Sequence, residues 1–438
     1  MPDRRQPPPV FPIRSLVLPP VTKATLDNGL PVYCITDPKQ EVLKMEGVFR
    51  AGRPYEEAPM IARQAQLMLR AGSKAMGRDE LAEQLDFLGS SLSLPFHLDT
   101  SQVAVYGLRK HLEKMMPLLV EVLFQPAFPD DELSQLVERQ EARLAVELGK
   151  NEVLAYRQIT EWLFGAHHPY GYNSTPEGYR SLDRDQLVRH HERLYHPGNL
   201  QLFVGGNIQE SDLALLNRFF GQLPVGPHVG RPVLPISPRP SQAKQIITGR
   251  AGGQSAIRLG RRLFTRDHSD YAGLYVLNTV LGGYFGSRLM TNIREEKGLT
   301  YNIYSSLDMM HYDGMWLIGC EVSPEHTQTA LGEIEREMSQ LQTEGISEKE
   351  LDMVRSYLLG NILTMLDGPL NSMEIVLTLE TEGLSRAFFA QWIDRIIHIT
   401  PREVQALARQ YLSTDDWVTL VVEGTPGDNA INTGQTTK

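Results

Sequence analysis

Cysteine is nearly absent: the 438 residues hold two, Cys34 and Cys320, each inside an apolar run, PVYCIT and MWLIGC. Two thiols in such surroundings make neither a disulfide framework nor a thiolate metal site, and buried free thiols are expected. No stretch approaches the roughly eighteen consecutive apolar residues that a membrane span needs. The opening MPDRRQPPPVFPIRSLVLPP has basic residues, but prolines break its apolar positions, so the apolar core of a secretory signal cannot form and a cytoplasmic protein is expected. Positive charge is also in short supply. Lys and Arg total 43 against 53 Asp and Glu, giving a formal charge of -10. Tracking a phosphate backbone requires clustered cations, so nucleic acid is excluded as a partner.

What is present is an ordinary globular composition, 41% hydrophobic and 22% charged, long enough for more than one core. The stretch that reads as a linker is 221–244, GQLPVGPHVGRPVLPISPRPSQAK, where prolines fix φ and remove backbone donors. It divides the chain nearly in half, and similar punctuation recurs on both sides. PDDELSQLVERQEARLAVEL around Glu132 matches SEKELDMVRSYLLGNILTML around Glu350, and the interval between those glutamates is also the interval between Gly206 and Gly424, which close LQLFVGG and WVTLVVEG.

Each half reads as a strand (LPVYCIT; SAIRLGRRLF), then helices with further strands, then a terminal apolar strand. The expected fold class is therefore α+β, two homologous halves with antiparallel sheets flanked by helices. The boundaries are an N-terminal extension 1–20, a first domain 21–220, the linker 221–244, a second domain 245–427 and a tail 428–438. Asp130 or Asp131 and Ser347 are expected N-caps, and Pro401 is expected in a first helical turn after Thr400.

Two segments carry a resemblance. AGRPYEEAPMIARQAQLMLRAGSK opens with Ala51, Gly52 and Arg53 and continues as an amphipathic helix. LGGYFGSRLMTNIREEKGLTYNIYSSL contains Gly282, Gly283, Ser287, Arg288 and an Arg294/Tyr301 pair seven residues apart. Together with the duplication, these make the chain resemble the insulinase/pitrilysin family of zinc metallopeptidases over nearly its whole length. That family carries H-x-x-E-H in the first half, where histidines at i and i+4 share a helix face and hold one zinc while the glutamate activates water. By position Arg63 stands for the first histidine, Gln66 for the glutamate and Leu67 for the second histidine. The resemblance places the remaining ligand near Ala142 or Arg143, beside Glu141. A guanidinium has no lone pair to give, leucine has no donor atom and a glutamine amide is no base. No metal is therefore expected on this chain.

The histidine cluster RHHERLYH does not replace the motif. His191 and His196 are five apart, about 140° around a helix, so the segment, with His190 and Glu192, is read as a solvated helix face ending at the Pro197–Gly198 turn. FGAHHPYG, with His167 and His168, is read as a turn. LGGYFG lacks the strand and G-K helix entry of a phosphate loop. The run 89–108 is read as paired strands, with Pro95 forcing an edge position or a bend. The resemblance makes that region one where an extended peptide adds to a sheet edge.

In the family the Arg/Tyr pair meets the zinc across an interior cavity and donates hydrogen bonds to the scissile carbonyl or its oxyanion. The resemblance therefore implies a non-zinc subunit that contributes Arg294 and Tyr301. A zinc-bearing sister subunit of similar size would complete a heterodimer that closes around unfolded peptides. The alternatives are a structural scaffold with no part in proteolysis and a homodimeric clamp that binds peptides without hydrolysis.

Overall fold

The computed structural model describes residues 13–235, 244–251 and 253–425. The C-terminal tail 428–438, the first twelve residues of the N-terminal extension and linker residues 236–243 lie outside them. The first half runs β1 (Thr22–Thr25), β2 (Pro31–Thr36), β3 (Val42–Phe49), α1 (Ile61–Met68), α2 (Arg78–Phe87), β4 (Ser91–Ser93), β5 (Ser101–Leu108), α3 (Leu112–Phe124), α4 (Asp130–Glu147), α5 (Asn151–Phe164), α6 (Pro176–Arg180), α7 (Arg184–Leu194), β6 (Leu200–Gly206) and α8 (Glu210–Phe219). The second half runs β7 (Lys244–Ala251), β8 (Ser255–Leu263), α9 (Tyr271–Asn278), π-helical turns Thr279–Gly283 and Met290–Glu296, β9 (Ile303–Met309), β10 (Gly314–Val322), α10 (Thr327–Thr343), α11 (Glu348–Met365), α12 (Gly368–Glu382), α13 (Arg386–His398), α14 (Pro401–Tyr411) and β11 (Val418–Thr425).

The strands form two sheets, ordered β1-β2-β6-β3-β5-β4 and β7-β11-β8-β10-β9. With β1 set aside as an added edge, the two orders coincide position by position. The parallel pairs coincide too, since β2 lies parallel to β6 and β7 parallel to β11 while the other pairs are antiparallel. The expected α+β fold of two alike halves is what the chain adopts.

The halves do not cover themselves alone. α5 of the first half lies on the second sheet, where Ala155, Ile159 and Leu163 pack with Ala256, Leu317 and Leu420. α12 of the second half lies on the first sheet, where Met373, Val376 and Leu377 pack with Tyr33, Val48 and Phe203. Each apolar helix stripe thus buries itself against the other half's sheet face.

Helix boundaries follow their chemistry. Ser347 accepts from Glu350 N at 3.1 Å, and Thr400 with Glu403 forms a capping box ahead of Pro401. At α4 the expectation is corrected: the N-cap is Pro129, and Asp130 and Asp131 occupy the first turn, where they oppose the positive end of the helix dipole. Cys34 and Cys320 are buried free thiols, pushed up to about 12 by burial. Among the described residues no helix is long and apolar enough to cross a membrane.

The solvated reading of RHHERLYH is also corrected. α7 packs against α1, and the face it turns inward carries His190 and His191, both buried, as is His196 just beyond the helix. Each ring serves a backbone carbonyl: His190 Nε2 lies 3.1 Å from Ala51 O, His191 Nε2 2.8 Å from Leu123 O, and His196 Nδ1 2.7 Å from Val225 O. Only Asp185, Arg189, Glu192 and Arg193 face outward.

Candidate functional site

α1 is set in place by groups outside its own sequence. Met60, its N-cap residue, has no side-chain oxygen, and the Glu56 carboxylate accepts the Ala62 N–H at 2.7 Å instead. The Ala51–Gly52–Arg53 opening fixes the approach. Gly52 packs so tightly on the turn after β4 that a Cβ there would fall 2.3 Å from Leu98 O. Arg53 donates to the carbonyls of Pro169 and Tyr172, both at 3.2 Å, and stacks over the Tyr172 ring.

This places α1 beneath the β4–β5 hairpin, and the hairpin explains two of the three motif positions. The register Ser91↔Tyr106, Ser93↔Ala104, Phe96↔Ser101 sets Pro95 opposite Gln102. Proline has no N–H, so the Gln102 carbonyl is left without the partner a strand residue would supply. Gln66, buried, fills the gap: Nε2 donates to Gln102 O at 2.7 Å and to Pro95 O at 3.0 Å. Arg63 holds that amide in orientation, with Nη1 2.5 Å from Gln66 Oε1, and donates again to Leu94 O at 3.2 Å while stacking over Phe96. Arg70, two turns on from Arg63, donates to Leu92 O.

Leu67 is half-buried and packs with Ile61, Ala65, Leu133 and Leu187. Ala142 is on the exposed face of α4, and its neighbour Glu141 pairs with Arg180 at 2.6 Å. This set does not fit zinc. Two of its side chains are hydrogen-bond donors already spent on backbone carbonyls, and Leu67 has nothing to offer a cation. Among the described residues no group of three or more His, Cys, Asp or Glu is arranged to hold a metal ion.

Arg294 and Tyr301 occupy the other half and are brought together. Arg294 lies in the π-helical turn Met290–Glu296. The backbone reverses at Gly298, whose N–H bonds to Arg294 O at 3.1 Å in a left-handed conformation, and Thr300 Oγ1 anchors the exit on Glu321 O at 2.6 Å. Tyr301 precedes β9 and does not belong to it. The Arg294 guanidinium stacks on two rings, 5.1 Å from the Tyr301 centroid and 4.7 Å from that of Phe285. Tyr301 is 84% exposed and Phe285 58%. Among the described residues no carboxylate pairs with Arg294, and its guanidinium lies over the face of the Tyr301 ring. Arg288, from the same segment, is bound to Glu350 at 2.8 and 2.9 Å and to Gly345 O, which ties the loop to α11.

Between the halves lies a cavity of about 670 Å³ lined by Arg53, Asp99, Tyr156, Asp308, His311 and Glu374, among others. Asp99 accepts from the Tyr170 hydroxyl and from His311 N, and burial holds its carboxyl above the usual range. Neither Arg294 nor Tyr301 lines this cavity, and neither is among the groups that bond to or stack on α1's side chains. His168, in the expected turn, stacks on Phe164. Sequence reasoning missed Phe285 and Arg70. The signal for Arg70 was its spacing from Arg63 and Gln66, which puts three donors on one helix face.

The peptidase M16 inactive domain pattern matches residues 181–358. A Bacillus subtilis protein described as an uncharacterized zinc protease is 22% identical over 413 residues, covering 92% of this chain and 98% of that one. A Helicobacter pylori non-peptidase homolog is 23% identical over 373 residues, covering 82% and 84%. The crystal structure of a peptidase M16 inactive domain from Pseudomonas fluorescens superposes with a TM-score of 0.84 at 23% identity, covering 93% of this chain and 99% of that one.

Proposed function

We propose that this chain, an inactive-type homologue of the peptidase M16 (insulinase/pitrilysin) family, is the non-zinc subunit of a two-chain peptidase acting on unfolded peptides. The observation that carries this reading is the Arg294–Tyr301 pair: the half-buried Arg294 guanidinium stacks 5.1 Å from the centroid of the exposed Tyr301 ring. A guanidinium stacked on a phenol ring brings two kinds of donor to one segment, and such donors suit one task, hydrogen-bonding a peptide carbonyl and the negative charge that develops on it during attack.

The metal and the base that activates water then come from a zinc-bearing sister subunit, since Arg63, Gln66 and Leu67 can supply neither. The test is reconstitution with a zinc-bearing M16 homologue from the same cell. The complex should cleave peptides in a chelator-sensitive way, and the R294A/Y301F double variant should lower its kcat by about 10²-fold. An unchanged kcat would remove the pair from the reaction and leave the scaffold reading.

A further inference from the structure

The outward edge of β4 is occupied by the chain's own side chains. β4 ends its sheet, and an end strand presents unpaired carbonyls and amides that an extended peptide can match. In an antiparallel ladder a residue's N–H and C=O point the same way. Leu92 and Leu94 face away from β5, because their carbonyls accept from Arg70 and Arg63 across the open side. The acceptors that an added strand would need are therefore taken by two guanidinia, which stand where its backbone would run. The second half offers an internal control. β9 is the equivalent end strand, and among the described residues no side-chain donor is assigned to its carbonyls.

We propose that Arg63 and Arg70 form an intramolecular cap that closes the first half's sheet edge to peptide. Arg63, which stands at a zinc-ligand position of α1, then also closes the sheet edge, together with Arg70 in the turn after it. The inference rests on the reading of the chain as a peptide-handling subunit, but concerns which half takes no peptide. It also sets Gln66 apart from its neighbours: Gln66 bonds inside the hairpin, at Pro95 and Gln102, and leaves the outer edge alone.

The full chain and an R63A/R70A variant are compared, without any sister subunit, using fluorescein-labelled lactalbumin that has been reduced and carboxymethylated so that it stays unfolded. Uncapping should tighten binding by about tenfold or more. Hydrogen exchange should show new protection over residues 90–96 on probe addition in the variant and none there in the parent chain. Protection of 90–96 in the parent, or a folded variant with no gain in affinity, overturns the proposal. If the alanine variant loses its fold, R63M/R70M keeps long unbranched side chains at both positions without the guanidinia and is read in the same way. A reconstituted complex insensitive to R294A/Y301F would sink the functional reading and leave this result standing.

Discussion

His191 donates through Nε2 to the carbonyl oxygen of Leu123 at 2.8 Å, so a side chain of α7 closes one of the carbonyls left unpaired at the C-terminal end of α3. With His190 on Ala51 O, this makes two buried imidazoles that must stay neutral to remain where they are.

Acid should unfold the protein through these rings. Burial lowers both to about 4, against an ordinary value near 6.5. The unfolded chain therefore takes up protons first, and the stability they contribute is full above about pH 6.5 and lost as the pH falls towards 4. Urea unfolding at stepped pH should show a decline in that window on the order of a few kcal/mol. In His191→Gln the decline should be shallower, and an equally steep one would point to other groups.

Returning the family's glutamate to position 66 should harm this chain. Gln66→Glu puts a carboxylate where two carbonyls require a donor, and destabilisation of about 1–3 kcal/mol is expected from denaturant unfolding. A neutral result would mean that water can replace the amide between Pro95 and Gln102.

Arg294 and Tyr301 should separate activity from stability. Both border solvent, so Tyr301→Phe should alter unfolding free energy by less than about 0.5 kcal/mol. Arg294→Ala should cost no more than about 1 kcal/mol, the scale of an exposed cation–π contact. Either variant falling well outside these limits would assign the pair a packing role.

Ile159→Ala in α5 should behave as a core truncation, costing about 2–5 kcal/mol. Since α5 is covalently in one half and packed on the other's sheet, calorimetry should register a single cooperative transition moving as a whole. Two separated transitions would refute that coupling.

The architecture was largely legible because duplication prints the same punctuation twice, and the terminal strands of both halves could be read from apolar runs alone. The exchange of α5 and α12 was not legible. An amphipathic pattern tells which face of a helix is buried but never which sheet receives it. The α7 histidines misled for a related reason. Next to arginines and a glutamate they look like surface residues, and only the carbonyls of Ala51 and Leu123, distant in sequence, give them a reason to be inside. At α1 the missing zinc ligands were plain in the sequence. What replaced them was not, because the gap opposite Pro95 exists only once the hairpin register is known.

The exchanged helices also bear on what happens when the backbone is cut. A protease that nicked the chain between residues 221 and 235 would sever one covalent strand and release nothing, since each fragment still lends the other a helix. Either fragment made alone, by contrast, would present a bare sheet face and a stranded apolar helix, an invitation to aggregate. Each half thus needs the other's helix to keep its own sheet face out of water.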